Sequence, residues 1–178
     1  MHADPAMLAA RLVEREPLAA STPDRIRVVH APGRVNLIGE RTDYNDGFVL
    51  PATIDLGITI ALVPTDDRQV QITLDDTGSR DGFDLDAIGP RGAGWIDHVA
   101  GAAWALAEAG IPTRGFRGLL VSDLPSGAGL SSSAALELAS AWALRGGERP
   151  DLPTMDLAPG LQPRVFVVRA ADGAWRLA

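Results

Sequence analysis

The chain contains no cysteine, which removes disulfides, thiol nucleophiles and thiolate metal sites from consideration. Its three histidines, His2, His30 and His98, stand far apart with no ligand spacing, so a structural zinc site is not expected. Basic residues are in deficit: Lys plus Arg is 16 against 23 Asp plus Glu, a formal charge of −7. That balance argues against a protein that grips a nucleic-acid backbone through a basic face. It does not exclude a single anionic ligand, because backbone N–H groups hold a phosphate in one local pocket. No apolar run approaches membrane-spanning length, and the N-terminus carries Asp4, Arg11, Glu14 and Arg15 where a signal peptide has its apolar core. The expectation is a soluble, cytoplasmic protein that binds neither nucleic acid nor membrane.

What is present is enough for one domain with a sizeable core: 178 residues, of which 46% are hydrophobic and 22% charged. Residues 5–16 predict an amphipathic helix, with Pro5 in its first turn and Met7, Leu8, Leu12 and Val13 as its stripe. A turn at 21–24 leads to a strand over 26–31, and Pro51 is expected to interrupt the chain beyond the polar stretch. Alternation predicts strands over 55–63 and 69–75, with the Asp66-Asp67 turn between them suggesting an antiparallel hairpin. A polar stretch with a brief strand near 83–85 precedes a helix over 94–109 that buries Ile96, Val99, Ala103 and Leu106 and stops at Gly110. A buried strand over 116–122 then feeds a helix reaching about Arg145, apolar almost all round except for Glu137 and Ser140. Together these predict an α+β fold: a mixed sheet with helices on one side. The domain is expected to cover 1–145, followed by a Pro/Gly-rich linker over 146–163 and a strand hairpin over 164–178 about Asp172-Gly173.

Two constellations carry chemistry. The first, residues 31–47, interleaves Arg34, Asn36, Glu40, Arg41, Asp43, Tyr44 and Asn45 with Val35, Leu37 and Ile38. That pattern suggests a segment half buried in the core and turned toward a small polar ligand. The second is Pro125-Ser-Gly-Ala-Gly-Leu-Ser-Ser-Ser-Ala-Ala at a helix start. Gly127 and Gly129 permit close backbone approach, and Ser131, Ser132 and Ser133 offer hydroxyls where orphan N–H groups and the positive dipole end converge. A triphosphate fits this pattern, with a serine hydroxyl reaching the accompanying Mg2+; ordinary N-capping by serine fits it as well. No Gly-Lys-Ser/Thr follows, so this is not a Walker A loop.

Residues 33–51 resemble the signature of the galactokinases, a branch of the GHMP small-molecule kinases, with Arg41 standing where that family has His. Residues 125–135, about ninety positions later, resemble the GHMP phosphate-binding motif, and Trp95, Val99 and Gly101 fit the family's intervening W-x-x-x-V-x-G. The resemblance spans residues 24 to about 145. It implies the N-terminal lobe of such a kinase, with phosphoryl transfer from Mg·ATP to the anomeric hydroxyl of galactose. It places Arg34 beside the reacting hydroxyl as a catalytic residue, where the residue alone would also read as half of an ion pair. Glu40 and Asp43 would accept hydrogen bonds from the sugar, with Arg41 facing it; Gly127, Gly129, Ser131, Ser132 and Ser133 would hold ATP, with Ser132 also toward the metal. Arg41, longer than His, always charged and donor-only, is expected to compete with sugar for the Glu40 and Asp43 oxygens.

The family's Gly-Ile-Met-Asp-Gln segment, which carries its proposed general base, and its third glycine-rich motif have no counterpart in the sequence. Asp156 in Met155-Asp156-Leu157-Ala158 reads either as a substitute base or as a linker carboxylate. The expectation is a galactokinase shortened through its middle and second lobe and rejoined near its end. Alongside catalysis stand three other readings: another GHMP kinase, a galactose- and ATP-binding protein without transfer activity, and an inactive remnant.

Overall fold

A computed structural model describes residues 4–39, 48–90, 92–125 and 128–147, together with the backbone of 176–177. Helix α1 (Pro5–Arg15) is capped by Asp4, whose carboxylate accepts from the Ala6 N–H at 3.0 Å. The short α2 (Pro17–Ser21) and a 3-10 turn (Pro23–Arg25) lead into β1 (Arg27–Ile38). Strands β2 (Leu50–Thr65), β3 (Gln69–Leu74) and β4 (Arg80–Asp84) come next, then α3 (Ile96–Glu108), β5 (Gly115–Ser122) and α4 (Ser132–Leu144). A two-residue β6 (Arg176–Leu177) lies antiparallel beside Val28 and Val29.

The sheet has the order β4-β3-β5-β2-β1-β6, antiparallel throughout except where β3 runs parallel to β5. It is the mixed sheet of an α+β fold. Along β1, β2 and β5 successive side chains feed opposite layers. Val29, Ile60, Leu62, Phe116 and Leu120 pack with Val99 and Ala103 of α3 and with Ala135, Ala139 and Ala143 of α4. Val28, Ala61, Val63 and Leu119 pack with Leu8, Leu12 and Ala19 from α1 and α2. Helices therefore cover both faces, not one as expected. Both layers need the central strand β2, which explains the unbroken buried run from Gly57 to Val63.

The structure corrects four further expectations. Met7 lies on the outer side of α1, 57% exposed, while Leu8 and Leu12 carry the contact. Pro51 does not interrupt: it is the second residue of β2, opposite Asn36, where a strand's start tolerates a missing donor. The first strand continues through the polar constellation to Ile38. Finally, β2 and β3 do not form a hairpin, because β5 lies between them.

That insertion needs a close fit at the fork between the two strands. A Cβ on Gly115 would stand 2.6 Å from both the Thr65 hydroxyl and the Gln69 carbonyl, so only glycine fits where the two strands fork. Arg117, two residues further along β5, donates to the Gln69 carbonyl at 2.8 Å and to the Asp67 carboxylate. Asp67 also accepts from the Thr65 hydroxyl and the Gln69 N–H, at 2.7 and 3.0 Å. The fork is thus held open by polar bonds around a threaded strand.

Both long helices of the α3–α4 layer end in the same way. Gly110 (φ 69°) donates to Ala107 and Ile111 to Leu106; Gly146 (φ 75°) donates to Ala143 and Gly147 to Trp142. These are Schellman caps, and each needs the left-handed conformation glycine accepts without strain. The linker over 148–163 and the first strand expected near 164–169 lie outside the described residues, as does Asp156.

Candidate functional site

Strand β5 ends at Ser122, and Asp123 begins the loop that reaches α4. Leu124 turns inward and is buried. At the far end of the loop, the Leu130 carbonyl accepts a hydrogen bond from the Arg34 N–H of β1 at 3.1 Å. The two constellations, far apart in sequence, therefore touch through main chain. Arg34 lies at an irregularity in the β1–β2 ladder, between Pro32 and Arg34, and its side chain is exposed.

The contact is possible because residue 33 is glycine. A Cβ there would meet Leu124 Cδ2 at 2.6 Å, the Leu130 carbonyl oxygen at 2.9 Å and Ile54 Cδ1 at 3.2 Å. Gly57, facing Pro32 in β2, is equally constrained: a Cβ would stand 2.5 Å from the Ala31 carbonyl and from His30 Cε1. His30 is buried, its Nδ1 within 3.0 Å of the Thr59 hydroxyl.

The start of α4 offers what an anion site needs. Gly129 (φ 71°) and Ser131 (φ 59°, ψ 40°) are both left-handed, and for serine that conformation is strained. Ser131 is the N-cap residue but makes no side-chain cap, whereas α1 and α2 are capped by the carboxylates of Asp4 and Glu16. The first-turn N–H groups of Ser132, Ser133 and Ala134 have no partner within the helix by its geometry. No acidic residue stands in that turn to compete with an anion. Further along the same helix Glu137 meets His98 Nδ1 of α3 at 3.0 Å.

The structure thus brings Arg34, Gly129, Ser131, Ser132 and Ser133 to one region. Glu40, Arg41, Asp43 and Gly127 lie outside the described residues. Leu37 and Ile38, expected to be half buried, are 60% and 68% exposed at the end of β1, and Phe48 and Leu50 are exposed as well. Three residues that sequence reading passed over are structurally central: Gly33, Gly57 and Asp123. The signal for the first two was a glycine inside an apolar strand pattern, which marks a close backbone approach. Among the described residues no cluster of three His, Cys, Asp or Glu side chains forms a metal site.

A model of the galactokinase galactose-binding signature matches residues 19–64, and one of the GHMP kinase N-terminal domain matches residues 97–159. Over these residues the chain is similar to the GHMP kinases, and over the first stretch to galactokinases. A galactokinase from Roseiflexus sp. (strain RS-1) is 49% identical over 115 residues, covering 65% of this chain and 29% of the relative. One from Pyrococcus furiosus is 44% identical over 110 residues, covering 62% and 30%. In three dimensions the fold resembles Lactococcus lactis galactokinase complexed with galactose, with a TM-score of 0.63 and 32% identity over 77% of this chain and 39% of that one. The chain accordingly spans about three tenths of the length of the curated galactokinases it matches.

Proposed function

We propose that this chain forms the sugar- and nucleotide-binding lobe of a galactokinase-type phosphotransferase, comprising residues 1–145. ATP is held at the start of α4 and galactose, or a similar sugar, at the signature segment beside Arg34. One observation supports this most directly: the Arg34 N–H bonds the carbonyl next to the strained N-cap of α4, so a phosphate there lies beside a sugar bound at the signature.

Roles follow from chemistry. Gly127, Gly129 and Ser131 to Ser133 present N–H groups and hydroxyls to the phosphates, and the helix dipole favours their charge. The Ser132 hydroxyl, at the first helical position, suits Mg2+, a hard cation that takes oxygen ligands and arrives with the triphosphate. When bound, that ion neutralises charge on the transferring phosphoryl group. Arg34 places a fixed positive charge beside the sugar hydroxyl, which favours the ionised nucleophile and the charge developing in transfer. Glu40 and Asp43 orient the sugar by accepting from its hydroxyls, and Arg41 tunes that contact by competing for the same oxygens.

A second reading is binding of sugar and nucleotide without transfer. Galactose-dependent ADP release at high protein concentration separates the two, with Arg34→Ala alongside. Transfer predicts release that the variant lowers by at least about a hundredfold, the scale of one lost electrostatic donor. Release equal to the ATP-only blank, together with thermal stabilisation by ATP and galactose, leaves the binding reading. Neither release nor stabilisation refutes both.

A further inference from the structure

Asp123 is the first residue after β5, half-buried, and its geometry is unusual for a loop carboxylate. Its Oδ1 accepts from the Gly57 N–H at 2.5 Å, while its own N–H donates to the Gly57 carbonyl at 3.2 Å. The β2–β5 ladder ends one step earlier, at Ile58 and Ser122. The side chain therefore takes the place of the next ladder acceptor, which frees the main chain of Asp123 to leave the sheet. Two later contacts depend on that departure: Leu124 buries against Gly33, and six residues further on Leu130 accepts from Arg34.

We infer that Asp123 is a positioning residue for the nucleotide site. It fixes the point at which the loop leaves the sheet, and so the placement of the carbonyl and N-cap that end it. It touches no ligand itself. What the position requires is an acceptor oxygen on a short side chain, not a charge, so asparagine should serve and alanine should not. The inference rests on the nucleotide reading given above.

Asp123→Ala and Asp123→Asn are compared with the unaltered chain by titration with Mg·ATP, and by hydrogen exchange of the Gly57 and Arg34 amides against amides of β3 and β4. The alanine variant should bind Mg·ATP about tenfold more weakly, the scale of one lost hydrogen bond to a charged group. Its Gly57 and Arg34 amides should exchange faster while β3 and β4 do not change, and the asparagine variant should recover both. Equal binding by the alanine variant, or failure of asparagine to rescue, overturns the inference. If the unaltered chain does not bind Mg·ATP, the nucleotide reading falls, and the exchange data decide the rest. Faster exchange in alanine alone supports Asp123 as the residue that holds the loop, and unchanged exchange overturns it.

Discussion

Gly33→Ala probes the junction on which the functional reading depends. The added methyl would meet Leu124 Cδ2 at 2.6 Å, Leu130 O at 2.9 Å and Ile54 Cδ1 at 3.2 Å. Leu124 and Ile54 offer the ends of flexible side chains, and these can rotate. The Leu130 oxygen is main chain, tied to Arg34, and can retreat only by moving the loop. Overpacking of this kind costs about 1–3 kcal/mol, and straining the 3.1 Å Arg34–Leu130 bond adds up to about 1 kcal/mol. A total near 2–3 kcal/mol lowers the melting temperature by roughly 4–10 °C in a chain of this length. Because the displaced carbonyl adjoins the N-cap of α4, Mg·ATP affinity should fall by about tenfold or more, well beyond the effect of an equal destabilisation placed elsewhere. The control is Gly101→Ala: in α3 its methyl would meet nothing within 4 Å, so the variant should gain about 0.8–1 kcal/mol of helix propensity and bind normally. Scanning calorimetry and nucleotide titration on both variants suffice. A Gly33→Ala chain that melts and binds like the unaltered one would show that the two constellations are not held in contact.

Ser140 is fully buried in α4, and its hydroxyl has no hydrogen-bond partner among the described residues. Ser140→Ala should therefore raise stability by about 1 kcal/mol, read as a melting temperature roughly 2–4 °C higher. Asp67 supplies a pH dependence. Partial desolvation alone would raise its pKa, but hydrogen bonds from the Gln69 N–H, the Thr65 hydroxyl and Arg117, with the charge of Arg117, lower it below its ordinary value of 3.8. A depressed folded-state value stabilises above the unfolded pKa and is lost as pH falls through the folded one. Chemical denaturation should show a drop in stability below about pH 4 that Asp67→Asn removes.

How far the sequence revealed this molecule depends on which residues answer to local rules. The α1, α3, α4 and β5 spans are set by apolar period, proline at a helix start and glycine at its end, and they were legible to within a few residues. The β2–β3 pairing was not. A two-residue acidic turn between alternating segments is the ordinary mark of a hairpin. What overrides it is non-local: β5, nearly fifty residues on, is apolar on both faces and claims a central position. The covered faces were misjudged for the same reason, since α1 and the alternate residues of β2 and β5 form a second core that no single segment reveals. At the site, the serine-rich helix start was readable because its chemistry is local. The contact with Arg34 was not, since it depends on what Gly33 leaves vacant.

Gly33, together with Asp123, explains how the two constellations come to touch. Strands β5 and β1 are separated by β2, about 10 Å at ordinary strand spacing, so the loop from β5 must pass over β2 to meet the strand that carries Arg34. Ordinary side chains on that path would lift it off the sheet. Asp123 ties the start of the loop to the Gly57 main chain of β2, and Gly33 lets Leu124 and the Leu130 carbonyl settle on β1. The strain at Ser131 is then a consequence: the chain must turn sharply from a carbonyl pinned to β1 into a helix that packs across β1 and β2. A left-handed N-cap held from both sides is already shaped before any phosphate arrives, and a site formed in advance spends less of its binding energy on ordering. On the proposed reading, Gly33 and Asp123 place the loop that a nucleotide would meet, the serines would hold its phosphates, and Arg34 would act on the transfer.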